Sequence, residues 1–478
     1  MHTIDLIVFL VFTGGIVLLG ASFYKMRSSA DDFTSAGRCL PGWVVGMSIF
    51  STYVSSISYL GYPGSAYSSN WNAFVFSLSI PIASYIAARW FVPFYRRQAS
   101  VSAYAFLERR FGLWARWYAA FCYLITQAVR TGTIVFLLAM PMNLLLGWDM
   151  QLVIVITSVA IIFYSMLGGV RGVIWTEALQ GVIMIVGALI CLGILLFTMP
   201  EGPSQTFSIA MQADKFSLGS FGLGLGESTF WVCMVYGIFT NLQNYGIDQN
   251  YVQRYHTARS DKAARFSALF GGYLFIPVSA VFFLIGTALF SYYQVFPERL
   301  ADSALKGDYV FPYFIVNQLP SGFSGLLVAS IFAAGMSTVA TSITSASTIV
   351  LTDFYRRLRG SDISDDEQLL VLKGAGVVIG MIGIFIALAL VNVGSILDAW
   401  WKLSSIFSGG MLGLFLLGFI SKKVHNAYAA IGVVCGVLTI AWISLSGQTV
   451  IHEFLSIVFG TVVIFLVGFL LARLLGSR

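Results

Sequence analysis

Thirteen apolar stretches, each long enough to cross a lipid bilayer as a helix, divide this sequence of 478 residues. Only 10% of the residues are charged, whereas a soluble protein carries roughly 25%. Because backbone N–H and C=O groups in hydrocarbon must find partners within the protein, stretches of about 17–25 apolar residues cross it as helices. The sequence therefore predicts an all-α polytopic membrane protein, with spans near 5–24, 43–68, 73–95, 116–147, 151–169, 174–198, 228–246, 264–290, 323–353, 370–391, 396–420, 427–445 and 452–474.

Lysine and arginine are unevenly distributed between the loops. If the N-terminus lies outside, the inside loops hold most of the 27 basic residues, and only Lys215, Arg299 and Lys306 fall in outside loops. A basic excess is typical of cytoplasmic loops. We therefore predict an N-out, C-in orientation, and the net charge of +6 reflects topology rather than a surface for nucleic acid.

The sequence favours a transporter driven by an ion gradient over other membrane proteins. It has no G-x-x-x-x-G-K-[ST] phosphate-binding motif, which argues against an ATP-driven pump. A channel would need rings of selecting groups along a continuous pore. A sensor would need an output domain, and an enzyme would need a nucleophile–base set or a metal cluster in the spans; the sequence indicates none of these.

Polar residues interrupt the second span between Ser51 and Gly64. This stretch contains four serines, a threonine, two glycines and Pro63. A broken helix in a membrane is tolerated around a polar cavity, and transporters use the freed carbonyls to bind cations and substrate. A kinked packing helix, whose serines bond to their own turn, is the alternative.

The spans also suggest two sets of five helices. The second set would open with span 228–246, which Gly237 and Gly246 interrupt together with polar side chains. Interrupted helices in corresponding positions indicate an inverted-repeat transporter. We expect an extra helix and cytoplasmic loop at 1–42, a first repeat at 43–198, an extracellular loop at 199–227, a second repeat at 228–420 and two C-terminal helices at 421–478.

Arg130 lies about fourteen residues into its span, near mid-membrane, because a helix rises about 1.5 Å per residue. An arginine at this depth needs a partner or an aqueous cavity, and its planar fork suits a carboxylate. It either anchors a substrate carboxylate or forms a structural ion pair, with Glu177 or Asp398 as the candidate partner.

Hydroxyl groups cluster again from Ser337 and Thr338 to Thr348. They either bond back one turn within their own helix or complete a cation cage facing the break near Ser51. Glu177, near the end of its span, is either solvated or a further cation ligand. Asp248 is a gate or a helix cap, and Asp398 and Lys402, at i,i+4, favour a helix-surface pair.

Several motifs resemble the sodium/solute symporter family over most of the chain. They are the segment Tyr164, Gly168, Gly169, Gly172, Trp175, Thr176, Glu177 and Gln180, the segment Asp248, Gln249, Gln253 and Arg254, the segment Met336, Ser337, Thr338, Ser345 and Thr348, and the segment Gly413 to Gly418. The resemblance implies a LeuT-type fold of two inverted five-helix repeats.

The same resemblance implies the ligands of a sodium ion. The main site would use the backbone carbonyls of Ser51, Val54 and Ala334 with the hydroxyl groups of Ser337 and Thr338. In some members a second sodium site uses an aspartate at the position of Glu177. Glutamate is one methylene longer, so the resemblance does not extend directly to a second sodium here.

Within the family, the chain is similar to the bacterial sialic acid symporters. Their substrate residues correspond here to Tyr53, Ser55, Ser58, Ala73, Ser77 and Arg130. Arg130 and the serines at 55 and 58 fit that pattern, whereas Tyr53, Ala73 and Ser77 depart from it.

We therefore expect a sodium-coupled symporter that imports a carboxylate-bearing solute, most consistently N-acetylneuraminate, by alternating access. It would act as a monomer in the bilayer of a bacterial inner membrane, without ATP or nucleic acid. The alternative is a symporter of a neutral hexose, on which Tyr53 would stack, or of a small monocarboxylate, which Arg130 would bind equally well.

Overall fold

A computed structural model of the chain describes residues 3–23, 29–98, 100–300, 307–360, 363–392, 410–422, 424–446 and 450–475. Regular structure in these ranges is helical, apart from an isolated bridge between Leu40 and Ala258. The first half contains α1 (Thr3–Ser22), α2 (Ala30–Ser35), α3 (Gly42–Tyr53), α4 (Tyr62–Ser68), α5 (Phe74–Leu78), α6 (Ile80–Ile86), α7 (Val92–Arg96), α8 (Ala105–Phe111), α9 (Leu113–Leu146), α10 (Met150–Phe197) and α11 (Pro203–Gln212).

The second half continues in the same style, with long helices joined by short connections. Its helices are α12 (Phe230–Ile247), α13 (Gln249–Thr257), α14 (Asp261–Val295), α15 (Gly307–Asn317), α16 (Phe323–Ile349), α17 (Arg356–Arg359), α18 (Asp365–Ala389), α19 (Gly410–Ile420), α20 (Asn426–Leu445) and α21 (Ser456–Leu475). Single π-helical segments lie at Ile57–Gly61, Ala87–Phe91 and Val350–Tyr355.

Ten segments of the described ranges are long and apolar enough to cross a membrane, when α3 and α4 count as one span bent by 58°. Each coincides with a predicted span. The three other predicted spans contain the shorter helices Met150–Phe163 and α19 and the more polar α12. The total of thirteen spans and the N-out orientation stay predictions. The start of span 396–420, with Asp398 and Lys402, lies outside the described residues.

A glycine divides α10 into the two spans that the hydropathy predicts there. Gly169 has φ 57° and ψ −168°, which is not a helical conformation. Side-chain-bearing residues rarely adopt this region, and a Cβ atom at Gly169 would lie 3.0 Å from the ring of Phe33. The chain therefore turns here between the limbs Met150–Phe163 and Gly169–Phe197.

The helices pack into two groups, which we call the bundle and the scaffold. The bundle contains α3 to α7 and α12 to α14, whose closest neighbours are one another. The scaffold contains α9, α10, α16 and α18, and nearly every residue of α16 is buried within it. The first two spans of each predicted repeat thus lie in the bundle. Helix α3 also packs against α10 and α16, so it lies between the groups.

The second interruption does not lie where the sequence analysis places it. Helix α12 runs unbroken through Gly237 and Gly246, so that prediction was wrong. The glycines instead allow close packing, since a Cβ atom at Gly237 would lie 2.5 Å from the hydroxyl of Ser79. The break is at Asp248, which has extended φ/ψ of −73° and 130° and accepts a hydrogen bond from the Asn250 N–H as the cap of α13. Asp248 therefore joins two halves of a broken helix.

Candidate functional site

The break in the second span lies at residues 54–56, within the interrupted stretch from Ser51 to Gly64 that the sequence predicts. Val54 is extended, with φ −75° and ψ 105°, and its N–H donates to the carbonyl of Phe50 at 2.9 Å. The hydroxyl of Ser55 accepts from the N–H of Ile57 at 3.2 Å. A serine that bonds to nearby backbone offers an alternative to the helical hydrogen bond. Pro63 lies seven residues beyond the break, inside the helical run Ile57–Ser68, so it is not the cause of the break.

The candidate sodium ligands converge on the last turn of α3. The Ser337 hydroxyl lies 3.0 Å from the Ser51 carbonyl and 2.9 Å from the Ala334 carbonyl, and the Thr338 hydroxyl lies 3.1 Å from the same Ala334 oxygen. Val54 follows three residues after Ser51, at the break, and all five residues are buried. The Ser337 and Thr338 hydroxyl groups therefore bond back one turn, and Ser337 also reaches the Ser51 carbonyl on α3. A cation cage at this point stays a prediction.

This oxygen cluster suits a sodium ion in its chemistry. Carbonyl and hydroxyl oxygens are the hard donors that alkali and alkaline-earth cations take. None of the five predicted ligands is charged, which fits a monovalent ion. Helix α10 can approach α3 so closely because residue 181 is glycine: a Cβ atom there would lie 2.4 Å from the Ser51 hydroxyl oxygen.

Glu177 lies next to this cluster in a buried ion pair. Its two carboxylate oxygens accept from Nη2 of Arg254 at 2.8 and 2.6 Å, and from the hydroxyl groups of Thr341 and Ser48. The backbone carbonyl of Glu177 accepts from the Ser51 hydroxyl at 2.7 Å. The Glu177 side chain is fully buried, and that of Arg254 is 4% exposed. This pair joins α10 in the scaffold to α13 in the bundle.

The ion pair answers one question that the sequence left open. Glu177 pairs with Arg254, so it is not the structural partner considered for Arg130. The other candidate partner, Asp398, lies outside the described residues. A second sodium at Glu177 stays a prediction, and the carboxylate that would bind it already faces a guanidinium.

Arg130 faces a cavity between the bundle and the scaffold. Tyr53, Ser55 and Ser58 line the same cavity. The Arg130 guanidinium donates through Nη2 to the carbonyl of Thr52 at 2.9 Å, and within the described residues it forms no ion pair. Four of the six predicted substrate residues are thus brought together. The Tyr251 hydroxyl, which lines the same cavity, is within hydrogen-bond reach of Arg130. A planar guanidinium at this position suits a carboxylate.

Ala73 and Ser77 do not line this cavity. Ala73 lines an adjoining cavity with Asn72, and the two cavities share Phe76 and Tyr236. Ser77 is completely buried in α5. Their roles as substrate residues stay predictions, and the geometry places them behind or beside the wall of the cavity rather than on it.

The cavity also contains polar residues that the sequence analysis did not select. Gln127 and Gln243 line it and are almost completely buried. Within the described ranges, the amide nitrogen and oxygen of Gln127 both lack a hydrogen-bond partner, and so does the amide oxygen of Gln243. A buried polar group without a partner costs about 1–3 kcal/mol, so these amides are suited to a polar ligand or water. Gln127 could have been found from its spacing, because it precedes Arg130 by three residues on one helix face.

A helix broken beside a cluster of oxygens that suit a cation, with an arginine facing the adjoining cavity, is typical of a secondary transporter. The family model of the sodium:solute symporter family matches residues 33–436. The chain is 31% identical over 474 residues to the sodium/sialic acid symporter NanT of Aliivibrio fischeri, covering 98% of this chain and 93% of that protein. It is 32% identical over 433 residues to the sodium/sialic acid symporter SiaT of Proteus mirabilis, covering 90% of this chain and 87% of that protein.

A solved structure supports the same assignment. The structure of a Na⁺-coupled sialic acid symporter in a substrate-bound, outward-open state matches with a TM-score of 0.93 and 30% identity, covering 99% of this chain and 98% of that one. This protein belongs to the sodium:solute symporter family. The predicted LeuT-type fold is confirmed, and the protein is a multi-pass membrane transporter rather than an enzyme.

Proposed function

We propose that this protein is a sodium-coupled symporter that imports a carboxylate-bearing solute, N-acetylneuraminate, by alternating access. The relatives named as sodium/sialic acid symporters support the choice of ion and solute. The observation that carries the proposal is the bond from Arg130 to the carbonyl of Thr52, the residue next to the candidate sodium ligand Ser51. One turn of α3 thus connects the substrate anchor to the ion cluster.

In this proposal Arg130 binds the substrate carboxylate with the donors that Thr52 does not use. A charge-assisted hydrogen bond contributes roughly 1.5–3 kcal/mol, and the low dielectric of the cavity strengthens it. The amides of Gln127 and Gln243 would bind hydroxyl or acetamido groups of the sugar. Ser55 and Ser58 would add hydroxyl contacts from the broken helix.

Sodium would act by linking the bundle to the scaffold. Ser51 and Val54 lie on α3, whereas Ala334, Ser337 and Thr338 lie on α16. When bound, the ion supplies a positive charge that both sets of oxygens can share. It therefore favours the conformations in which the two groups meet here, and coupling follows because only a difference in affinity between conformations shifts their populations.

The alternatives fit the cavity less well. The ring of Tyr53 already stacks on Tyr245 and packs edge-on against Phe275, with its hydroxyl bonded to Asn241. Little of that ring is left to stack on a neutral hexose. A small monocarboxylate would use Arg130 but would leave the amides of Gln127 and Gln243 without partners.

The remaining expectations complete the proposal. We propose thirteen spans in an N-out, C-in orientation in a bacterial inner membrane, with the repeat boundaries given above, and a functional monomer. We propose one sodium at the cluster near Ser51. A second ion at Glu177 would require its carboxylate to separate from Arg254.

Uptake of labelled N-acetylneuraminate into proteoliposomes tests the proposal. An inward sodium gradient is expected to drive accumulation above the equilibrium level, and an equal gradient of potassium is not. Collapse of the sodium gradient with an ionophore should release the solute again. Uptake that is equally fast without sodium, in vesicles shown to be sealed, would contradict the coupling.

A further inference from the structure

Five arginines surround a single cavity away from the substrate site. The cavity has a volume of about 600 Å³ and lies where the end of α7, the helix α8 and the first turns of α14 meet. Among the described residues, those that line it include no carboxylate. The five arginines that line it are Arg89, Arg97, Arg109, Arg110 and Arg265.

These arginines have no acidic partner within the described residues. Arg109 donates to the side-chain oxygen of Gln98 at 2.7 Å, and Arg110 donates to the backbone carbonyl of Ser421 at 2.5 Å, both of which are uncharged. In the first turn of α14, Asp261 pairs with Arg96 at 2.8 Å rather than with one of these five arginines.

The carboxylates of Glu108 and Asp353 already form ion pairs with other arginines. Glu108 of α8 binds both Arg116 and Arg357, and Asp353 binds Arg116. Arg89, Arg97, Arg109 and Arg265 are exposed, so water solvates part of their charge, but no described carboxylate neutralises it. The usual basic excess of cytoplasmic loops explains the sign of the charge, but it does not require five residues to converge on one cavity.

Aromatic side chains also line the cavity. Trp90 and Phe94 line it beside the arginines, and the Trp90 side chain is 57% exposed. Tryptophan at such a position is typical of the membrane–water interface. Helices α6 and α14 pack together, and both expose apolar side chains: Ile82 and Tyr85 on α6, and Phe266 and Tyr273 on α14.

We propose that this cavity binds the phosphate headgroup of an anionic phospholipid. The arginines would bind the phosphate oxygens, since guanidinium and phosphate groups match in geometry as well as charge. The acyl chains would lie along the exposed apolar side chains of α6 and α14. Basic pockets between transmembrane helices bind such headgroups by the same chemistry. Inorganic phosphate would satisfy the arginines but not the apolar walls, so the lipid is the better match. The site is separate from the proposed sodium and substrate sites.

The test compares lipid association with the reconstituted full-length protein. Spin-labelled phosphatidylglycerol and spin-labelled phosphatidylcholine are each added to proteoliposomes of phosphatidylcholine, and the fraction of immobilised label gives the relative association constant. The test variant is Arg89→Gln/Arg97→Gln/Arg265→Gln, which changes three exposed arginines. The matched control is Arg359→Gln/Lys422→Gln/Arg473→Gln, which removes the same charge from exposed positions outside the cavity.

We expect the wild type and the control variant to prefer phosphatidylglycerol, and the test variant to lose that preference by about fivefold or more. Equal association of both lipids with the wild type, or an equal loss in the control variant, would overturn the proposal. The assay is repeated with excess inorganic phosphate at constant ionic strength. Most of the labelled phosphatidylglycerol is expected to stay associated, because the apolar walls bind its acyl chains and not free phosphate. Complete displacement by phosphate would show that the acyl chains add nothing and would overturn the assignment to lipid. Because no sodium or sialic acid is used, failure here is distinct from failure of the proposed transport activity.

Discussion

Replacement of Arg254 with methionine is expected to destabilise the protein strongly. The guanidinium binds both carboxylate oxygens of Glu177, and it also donates to the carbonyl of Asn250 at 2.6 Å and the hydroxyl of Ser48 at 2.7 Å. Methionine fills a similar volume without the charge. Breaking a buried pair by removing one partner costs about 3–5 kcal/mol, because the remaining charge stays buried.

Sodium is expected to restore part of this loss. In the Arg254→Met variant the Glu177 carboxylate faces Ser48 and Thr341 without a cation, which is a set of oxygen ligands that a sodium ion can use. An ion that binds the folded state alone stabilises it by about 2.7 kcal/mol when its concentration is 100 times Kd. The stabilisation by sodium should therefore be larger in the variant than in the wild type.

Unfolding of the detergent-solubilised protein measures both effects, in sodium chloride and in N-methylglucamine chloride at equal ionic strength. The Glu177→Gln/Arg254→Met variant should recover most of the stability and lose the additional effect of sodium. Arg359→Met is the control, because Arg359 and Glu367 form an exposed pair at 3.8 Å that contributes about 1 kcal/mol or less. An Arg254→Met variant as stable as wild type, or a double variant no more stable than the single one, would refute the reasoning.

Three further predictions concern the transport site. Arg130→Lys keeps the charge but loses the planar fork, so Kd for N-acetylneuraminate should rise by about 10- to 100-fold; unchanged binding would exclude Arg130 as the anchor. Ser337→Ala combined with Thr338→Ala should raise the half-saturating sodium concentration for uptake by about tenfold, the equivalent of ~1.4 kcal/mol; an unchanged sodium dependence would place the ion elsewhere. Gly181→Ala places a methyl group against the last turn of α3 and should cost about 1–3 kcal/mol by overpacking, with slower uptake. Gly193→Ala on the same helix meets nothing within 4 Å and should leave uptake unchanged.

The sequence predicts the helical architecture well because hydropathy alone governs which segments enter a bilayer. The ten membrane-length segments of the described ranges coincide with predicted spans. The general position of the first broken helix follows from the serines around Val54, since their hydroxyl groups compete for backbone partners.

The second break was missed because glycine is a poor guide to helix interruption in membranes. Gly237 permits close packing within an unbroken helix, whereas the break is made at Asp248, whose side chain caps the next helix. In one sequence taken without its relatives, a polar residue that caps a short buried helix looks the same as a polar residue that ends a membrane span. A cap was one of the two roles predicted for Asp248, but the sequence did not show that this cap lies at a break between two halves of one helix.

Long-range pairing was also beyond sequence reasoning. Arg254 follows Glu177 by 77 residues, and no local periodicity connects them. Gln243 lies on a different helix from Arg130, and only tertiary packing brings both to one cavity. By contrast, Gln127 lies on the same helix as Arg130, so helical spacing alone could have predicted that it faces the cavity.

Binding calorimetry with the purified wild-type protein tests the central claim, that one turn of α3 couples the ion to the substrate. N-acetylneuraminate is titrated with sodium present and with sodium replaced by N-methylglucamine, and sodium is then titrated with and without the sugar. We predict that sodium strengthens binding of N-acetylneuraminate by about tenfold or more, and that the sugar strengthens sodium binding by the same factor, because coupling free energies are reciprocal. An affinity for N-acetylneuraminate that is the same in both salts would contradict the account.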